Sequence, residues 1–294
     1  MQELLLTIIT PTYNRAYTLP SCYRSLCRQT DQRFKWLIID DGSTDETEEV
    51  VNSWIQEKKI EIEYLKKENG GKASALNLGL DKVDTEYVVC LDSDDYFYSD
   101  AVEKALNQLA EIEGQTSSCG ILALRTNPDG TVMGGESIPL DMKYVKAADV
   151  FLKLNLHTEL ICFYKTKILK KYRFPVFEGE KFVSPAWMQY QITQEYNYAV
   201  SWDKFCCCEY VSDGLTQNKK KVILNNPKGY TCVKRWSFDL APSPRGLIKN
   251  GIMYDCGCLL GKDKNWLKNV RHKGWAVALM PVAYLVKRIR FGQK

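Results

Sequence analysis

Four short apolar runs, each closing on a cluster of polar residues, constrain this chain more than any other feature. They are LLLTII (4–9), FKWLIID (34–40), IEIEYL (60–65) and EYVVCL (86–91). Runs of this kind suit strands covered on both faces, as in a parallel sheet. Helical patterns fill the intervals, at 18–29, 45–58, 72–82 and 99–113. The alternation predicts an α/β fold: a mostly parallel, Rossmann-like sheet with right-handed crossovers, flanked by helices. Thr44 or Ser43 is expected to cap the second helix, ahead of acids in its first turn. GILALR (120–125) and ELICFY (159–164) offer two further strands. After about residue 215 helices take over, expected at 227–239, 245–260 and 262–271, with a break at Pro242 and Pro244.

The polar clusters are TPTYNR (10–15), DDGSTD (40–45), ENGGKASALN (68–77) and DSDD (92–95). Ligands bind beyond the carboxyl ends of strands in open parallel sheets, so together the clusters outline one cleft. Asp92 and Asp94, two apart in an extended segment, would point the same way and offer oxygens to one divalent cation. That ion would neutralise phosphate charge and explain why carboxylates crowd here. The alternative is a solvated turn, and for Asp95 that reading is adopted, with its side chain capping the next helix. Asp40 closes a strand and could accept a hydrogen bond from a base N–H. Asp41, ahead of Gly42, Ser43 and Thr44, could instead shape the turn. Gly70 and Gly71 permit close backbone approach to a ligand. Lys72 would then reach a phosphate or its leaving oxygen; GGK lacks P-loop spacing, and an ordinary surface lysine is the alternative.

Composition narrows the class. A content of 45% hydrophobic and 26% charged residues is that of a folded protein. The eleven cysteines sit among apolar neighbours, and with no secretory signal they read as reduced thiols of a cytosolic protein. Cys206, Cys207 and Cys208, and the pair Cys256 and Cys258, lack zinc-site spacing and read as packed thiols. The net charge of +4 is uneven: residues 262–294 carry nine Lys or Arg against Asp263 alone, leaving the preceding body at −4. A net positive charge confined to the tail argues against a nucleic-acid binder. Within that tail WAVALMPVAYLV (275–286) is twelve apolar residues, interrupted by Pro281 and flanked by Arg271, Lys273, Lys287, Arg288 and Arg290. It is short of the roughly 20 residues a spanning helix needs. It suits an interfacial segment on an anionic inner leaflet. A terminal helix docked on the body or on a partner subunit is the alternative, and an oligomer stays open.

TIITPTYNRAYTLPSCYRSLCRQT, FKWLIIDDGSTDET, ENGGKASALNLGL and YVVCLDSDDYF closely resemble the family 2 glycosyltransferases in order and spacing. FPVFEGEKFVSP and EYVSDGLTQN extend a weaker likeness to about residue 217, toward bacterial capsular and cell-surface polysaccharide transferases. The resemblance implies a nucleotide-diphospho-sugar-binding GT-A fold, Mn²⁺ or Mg²⁺, and inversion at the anomeric carbon. It places the donor, most often with uracil as base, against Thr10, Pro11, Tyr13, Asp40, Asp41, Lys72, Asp92 and Ser93. Asp92 and Asp94 correspond to the family's Asp-x-Asp, the second being the more direct metal ligand. The implied acceptor is a surface glycan, lipid-linked in some relatives, with the enzyme peripheral at the inner face of the cell membrane. Residues 1–217 are then the transferase domain, divided near 115 into donor and acceptor halves, and 218–294 a helical extension. Relatives commonly read Gly-Glu-Lys-Phe, an apolar residue, then Pro-Glu, the last acid fitting the general base. Here GEKFVSPAW carries Ala186 after Pro185, so Glu180 is expected as base, then Glu178; loop acids meeting solvent or Lys181 are the alternative. His157 is a weaker candidate. Two rivals remain: a non-catalytic transferase-like subunit, and nucleotidyl transfer, for which the Gly-rich loop after the first strand is missing.

Overall fold

The computed structural model describes residues 3–208 and 218–292. The chain runs β1 (Leu6–Thr12), α1 (Leu19–Cys27), β2 (Phe34–Asp40), α2 (Thr47–Glu57), β3 (Glu61–Lys66), α3 (Lys72–Lys82) and β4 (Tyr87–Cys90). There follow β5 (Asp95–Phe97), α4 (Ala101–Glu111), β6 (Ser118–Leu124), β7 (Tyr144–Val145), α5 (Ala147–Leu152), β8 (Leu160–Lys165) and α6 (Thr166–Leu169). The rest is α7 (Ala186–Ile192), β9 (Asn197–Val200), β10 (Cys206–Cys208), α8 (Lys219–Asn225), α9 (Pro227–Asp239), α10 (Pro244–Gly261) and α11 (Lys273–Phe291).

One mixed sheet has the order β3-β2-β1-β4-β8-β6-β9-β7, and β5 pairs with β10 beside it. Its first half is parallel, with Leu6 opposite Phe34, Lys35 opposite Glu61 and Leu6 opposite Tyr87. Period-two alternation divides each central strand between two cores. Ile8, Trp36 and Ile38 face the layer holding Leu19 and Leu26 of α1. Ile9, Leu37 and Ile39 face Ala73, Leu76 and Leu80 of α3. Both faces are covered, so β1 and β2 are buried along their full length, while the edge strand β3 is not, which accounts for Glu61, Glu63 and Lys66. Beyond β4 the sheet turns mixed, because β8 runs antiparallel to both β4 and β6.

Two expectations need correction. Helix α2 starts at Thr47, and neither Ser43 nor Thr44 caps it. Those residues are held earlier, in the turn: the Asn14 N–H donates to Ser43 Oγ and the Thr44 N–H donates to Asn14 Oδ1, each at 2.8 Å. Residues 262–271 form turns rather than a helix, since α10 ends with Lys262 in the left-handed region at φ 50°. The last helix is instead α11, which runs through Pro281. It docks on α10 through Ala276, Leu279 and Ala283 and leaves Trp275, Val277, Val282, Tyr284, Leu285 and Ile289 exposed. Among the described residues no helix is long and apolar enough to cross a membrane, and no disulfide joins the cysteines.

Candidate active site

The parallel strands deliver their loops to one edge, and Asp41 ties two of these loops together. One carboxylate oxygen accepts from Lys67 Nζ at 2.8 Å and the Gly70 N–H at 2.9 Å; the other accepts from the Gly71 N–H at 2.6 Å. Three donors on one carboxylate fix the Gly-Gly loop, whereas in the turn of Gly42, Ser43 and Thr44 it is Asp40 that accepts from the Ser43 N–H. Gly71 sits at φ +89°, where a Cβ would stand 2.0 Å from the Lys181 carbonyl oxygen. Only glycine fits there. The loop therefore hands the chain to α3 with Lys72 as its first residue.

Lys72 Nζ lies 2.5 Å from Asp92 Oδ1. On the other side of Asp92, Arg125 Nη1 lies 3.5 Å from Oδ2. Burial alone would raise the Asp92 carboxyl, but Lys72 and Arg125 outweigh it and hold that carboxyl well below the usual range. Burial likewise opposes the charge on Lys72, and Asp92 more than restores it. The segment is not extended as expected: the Asp95 N–H donates to the Asp92 carbonyl at 3.0 Å, closing a turn. Asp94, half-buried on that turn, has its carboxyl pushed up by burial and then by Asp92. Nor is Asp95 a solvated cap. It is buried and ion-paired with Arg125, while Asp100 stands at the start of α4.

Arg125 is the charged residue at this edge that sequence reasoning missed. It was legible only as the last letter of a strand, yet it bonds Asp95 and the Leu160 carbonyl, at 3.2 Å from Nε to the latter. Its guanidinium also meets Cys208 Sγ at 3.4 Å. The ligand atoms of Asp95, Cys206 and Cys208 lie within 4.8 Å of one another, a grouping that could hold a metal. The cation already at that spot is the guanidinium, which agrees with reading these thiols as packed. With Arg125 and Cys206 beside it, the Cys208 thiol is brought down to about 7, its bond to Cys206 contributing most.

The expected donor residues divide into two groups. Tyr13 is 48% exposed, and Lys72, Asp92 and Asp94 are half-buried. Thr10, Pro11, Asp40 and Ser93 are buried. The Thr10 hydroxyl accepts from Trp36 Nε1 at 2.8 Å, inside the core. Asp40 accepts from the Ser43 N–H at 2.7 Å and from the Tyr64 hydroxyl, so protein groups engage both its oxygens. The base candidates fare differently again. Both oxygens of Glu180 accept from the start of α9, the Lys228 N–H at 2.9 Å and the Gly229 N–H at 2.8 Å. Glu178 and His157 are exposed, and Ala186 opens α7. Residues 209–217, which carry most of EYVSDGLTQN, lie outside the described residues.

Two carboxylates on one turn are oxygen donors of the kind a hard divalent ion takes, although Lys72 and Arg125 now engage Asp92. Asp92 and Asp94 would hold it.

The family model for glycosyl transferase family 2 matches residues 7–172. A Haemophilus influenzae protein named as an uncharacterized glycosyltransferase is 39% identical over 107 residues, 36% of this chain and 43% of that protein. The Pasteurella multocida chondroitin synthase is 36% identical over 130 residues, 44% of this chain and 13% of its own length. The chain thus spans less than half the length of these relatives. Among solved structures, S. aureus TarS 1-349 in complex with UDP-GlcNAc has a TM-score of 0.58 at 17% identity, covering 98% of this chain and 83% of that one. The mannosyltransferase PcManGT from Pyrobaculum calidifontis, in complex with GDP-Man and Mn2+, also has a TM-score of 0.58, at 18% identity, covering 100% of this chain and 77% of that one. At such identities the structures speak for the fold, and the match over residues 7–172 speaks for descent: the chain belongs to glycosyl transferase family 2.

Proposed function

We propose that this chain transfers a sugar from a nucleoside diphosphate, UDP first among candidates, to a hydroxyl of a cell-surface or capsular polysaccharide, with inversion. The observation that carries the reading is Asp92 held between Lys72 and Arg125, with Asp94 beside it at the carboxyl edge of the parallel strands. The exposed Tyr13 ring offers a face for the base, and the Asp41-braced Gly-Gly loop brings Lys72 to the diphosphate. Bound at Asp92 and Asp94, Mn²⁺ or Mg²⁺ would stabilise the charge developing on the departing diphosphate. Lys72 supplies part of that stabilisation itself, once a donor phosphate competes with Asp92 for its ammonium. Displacement needs a carboxylate to take the acceptor proton. With Ala186 in place of an acid and Glu180 bound to α9, Glu178 is the base in this reading. Residues 1–217 then serve as the transferase domain, with the extension 218–294 holding it peripherally at the inner face of the cell membrane.

The experiment is transfer and donor hydrolysis with purified protein, Mn²⁺ and a panel of nucleotide sugars. Asp94→Ala should abolish turnover and Glu178→Gln should lower it at least a hundredfold. Ala186 and the engagement of Glu180 favour a second reading, a non-catalytic donor-binding subunit. Metal-dependent UDP binding without turnover on any acceptor would decide for it.

A further inference from the structure

A second cavity, of about 450 Å³, lies between α7, α8 and α9. Its size falls within the roughly 300–1,000 Å³ typical of small-molecule sites. Phe151, Phe182, Tyr190, Val222 and Tyr230 make its walls largely apolar and aromatic, and Lys219 and Lys234 are its charged lining. Lys234 Nζ sits over the Tyr230 ring, 5.7 Å from its centre.

The electrostatics here are one-sided. Burial lowers the Lys234 ammonium, and the charges it feels from neighbours are those of Lys249 on α10 and Arg290 on α11. No acid among the described residues offsets them. Lys220 reaches the end of α11, beside Gly292. Glu180, at the start of α9, is itself bound to that helix's first N–H groups. A half-buried lysine whose charged neighbours are cations is a ready partner for an anion. Aromatic walls beneath that charge call for an apolar body attached to the anion.

The cavity also shares a wall with the donor site. Ala186 of α7 lines it. The adjacent Pro185, with Met188 and Gln189, lines the smaller cavity of about 90 Å³ that holds Lys72 and Asp92. The intervening loop is anchored, since the Lys181 and Phe182 N–H groups donate to Asn226 Oδ1 at 2.7 and 2.9 Å.

We propose that the cavity between α7, α8 and α9 is an acceptor subsite for a phosphate-bearing amphiphile, its phosphate at Lys234 and Lys219 and its apolar body against Phe182, Tyr190 and Tyr230. Calling the occupant an acceptor rests on the transferase reading; binding does not, so the test reads binding directly.

The full chain is titrated with geranyl phosphate, geraniol and inorganic phosphate, following tryptophan fluorescence. Geranyl phosphate should saturate a single site, at least tenfold tighter than either geraniol or phosphate. Lys234→Met, which keeps the side chain's bulk, should weaken it at least tenfold. Lys219→Glu, on the exposed start of α8 where folding is not at issue, should weaken it severalfold. UDP binding should be unchanged in both variants, which separates this subsite from the donor site. Equal affinity for geraniol and geranyl phosphate, or unaltered binding in both variants, would overturn the proposal. Pelleting with phosphatidylglycerol vesicles supplies the remaining arm. Retained pelleting in Lys234→Met supports the acceptor assignment. Its loss together with geranyl phosphate binding would assign the cavity to bilayer headgroups and overturn that assignment.

Discussion

Glu180 illustrates how one side chain can satisfy a sequence pattern and still do other work. It was expected as base because it is the carboxylate nearest the position where relatives carry an acid. The structure sets it at the positive end of α9, accepting from two N–H groups. Glu180→Gln should therefore cost about 1 kcal/mol of stability, the usual value of a helix N-terminal acceptor. Thermal unfolding should show a fall of a few degrees while the transfer rate changes less than threefold; a hundredfold loss of rate with intact stability would return the base role to it. Arg125 makes the opposite case. Nothing in GILALR signals that its final residue will close a buried pair with Asp95 and lean on Asp92. Long-range charge pairing leaves no periodic trace, which is why it was not legible. Arg125→Met would strand Asp95 as a buried carboxylate, and such breaks typically cost about 3–5 kcal/mol. Urea unfolding should show that loss, with Arg125→Lys recovering part of it.

At the scale of elements, legibility follows burial. β2 came through with the boundaries of its apolar run, because both its faces are covered and the polar Asp40 ends it. Helix α9 and most of α10 were likewise readable. The 262–271 segment was misjudged because its Lys, Trp and Leu spacing resembles a helix, yet α10 has already stopped at a left-handed Lys262. What no pattern could show is Asp255, wholly buried on α10 with neither carboxylate oxygen hydrogen-bonded among the described residues. Burial pushes its carboxyl up to about 7, from an ordinary value of 3.8. The unfolded chain ionises at the ordinary value, so between the two the folded state binds the extra proton. Stability must then fall as pH rises from about 4 to 7 and level off above, by at most about 4 kcal/mol. Asp255→Asn should flatten that slope and be the more stable form at pH 8, as followed by urea unfolding across pH. An unchanged slope would mean that another group sets it.

For the whole molecule, the sequence gives the parallel half of the sheet and the common edge of its loops, but not the second half. There β8 inserts between β4 and β6 against the direction of both, and the strand order no longer follows the order of the chain. The cavity between α7, α8 and α9 is lined by segments spread from Phe151 to Ser237, so no local motif could reveal it. The tail shows how both sequence alternatives can hold at once. One face of α11 docks on α10, and the opposite face exposes Leu285 at 59% and Ile289 at 85%, with Lys287, Arg288 and Arg290 between and beside them. Removing the helix would uncover Cys256 and Leu259 on α10, so a truncation confounds folding with membrane affinity. Substitutions on the outer face avoid this. Leu285→Glu with Ile289→Glu leaves the docked face untouched, removes two insertable side chains and places acids against an anionic surface. Each large aliphatic side chain fully transferred from water is worth about 1.5–3 kcal/mol, so full insertion predicts a loss of roughly tenfold or more per residue and partial insertion a few-fold. Co-sedimentation with phosphatidylglycerol vesicles should register that loss while UDP affinity and the unfolding midpoint stay constant. Undiminished sedimentation would leave the basic residues, or no part of α11, as the contact.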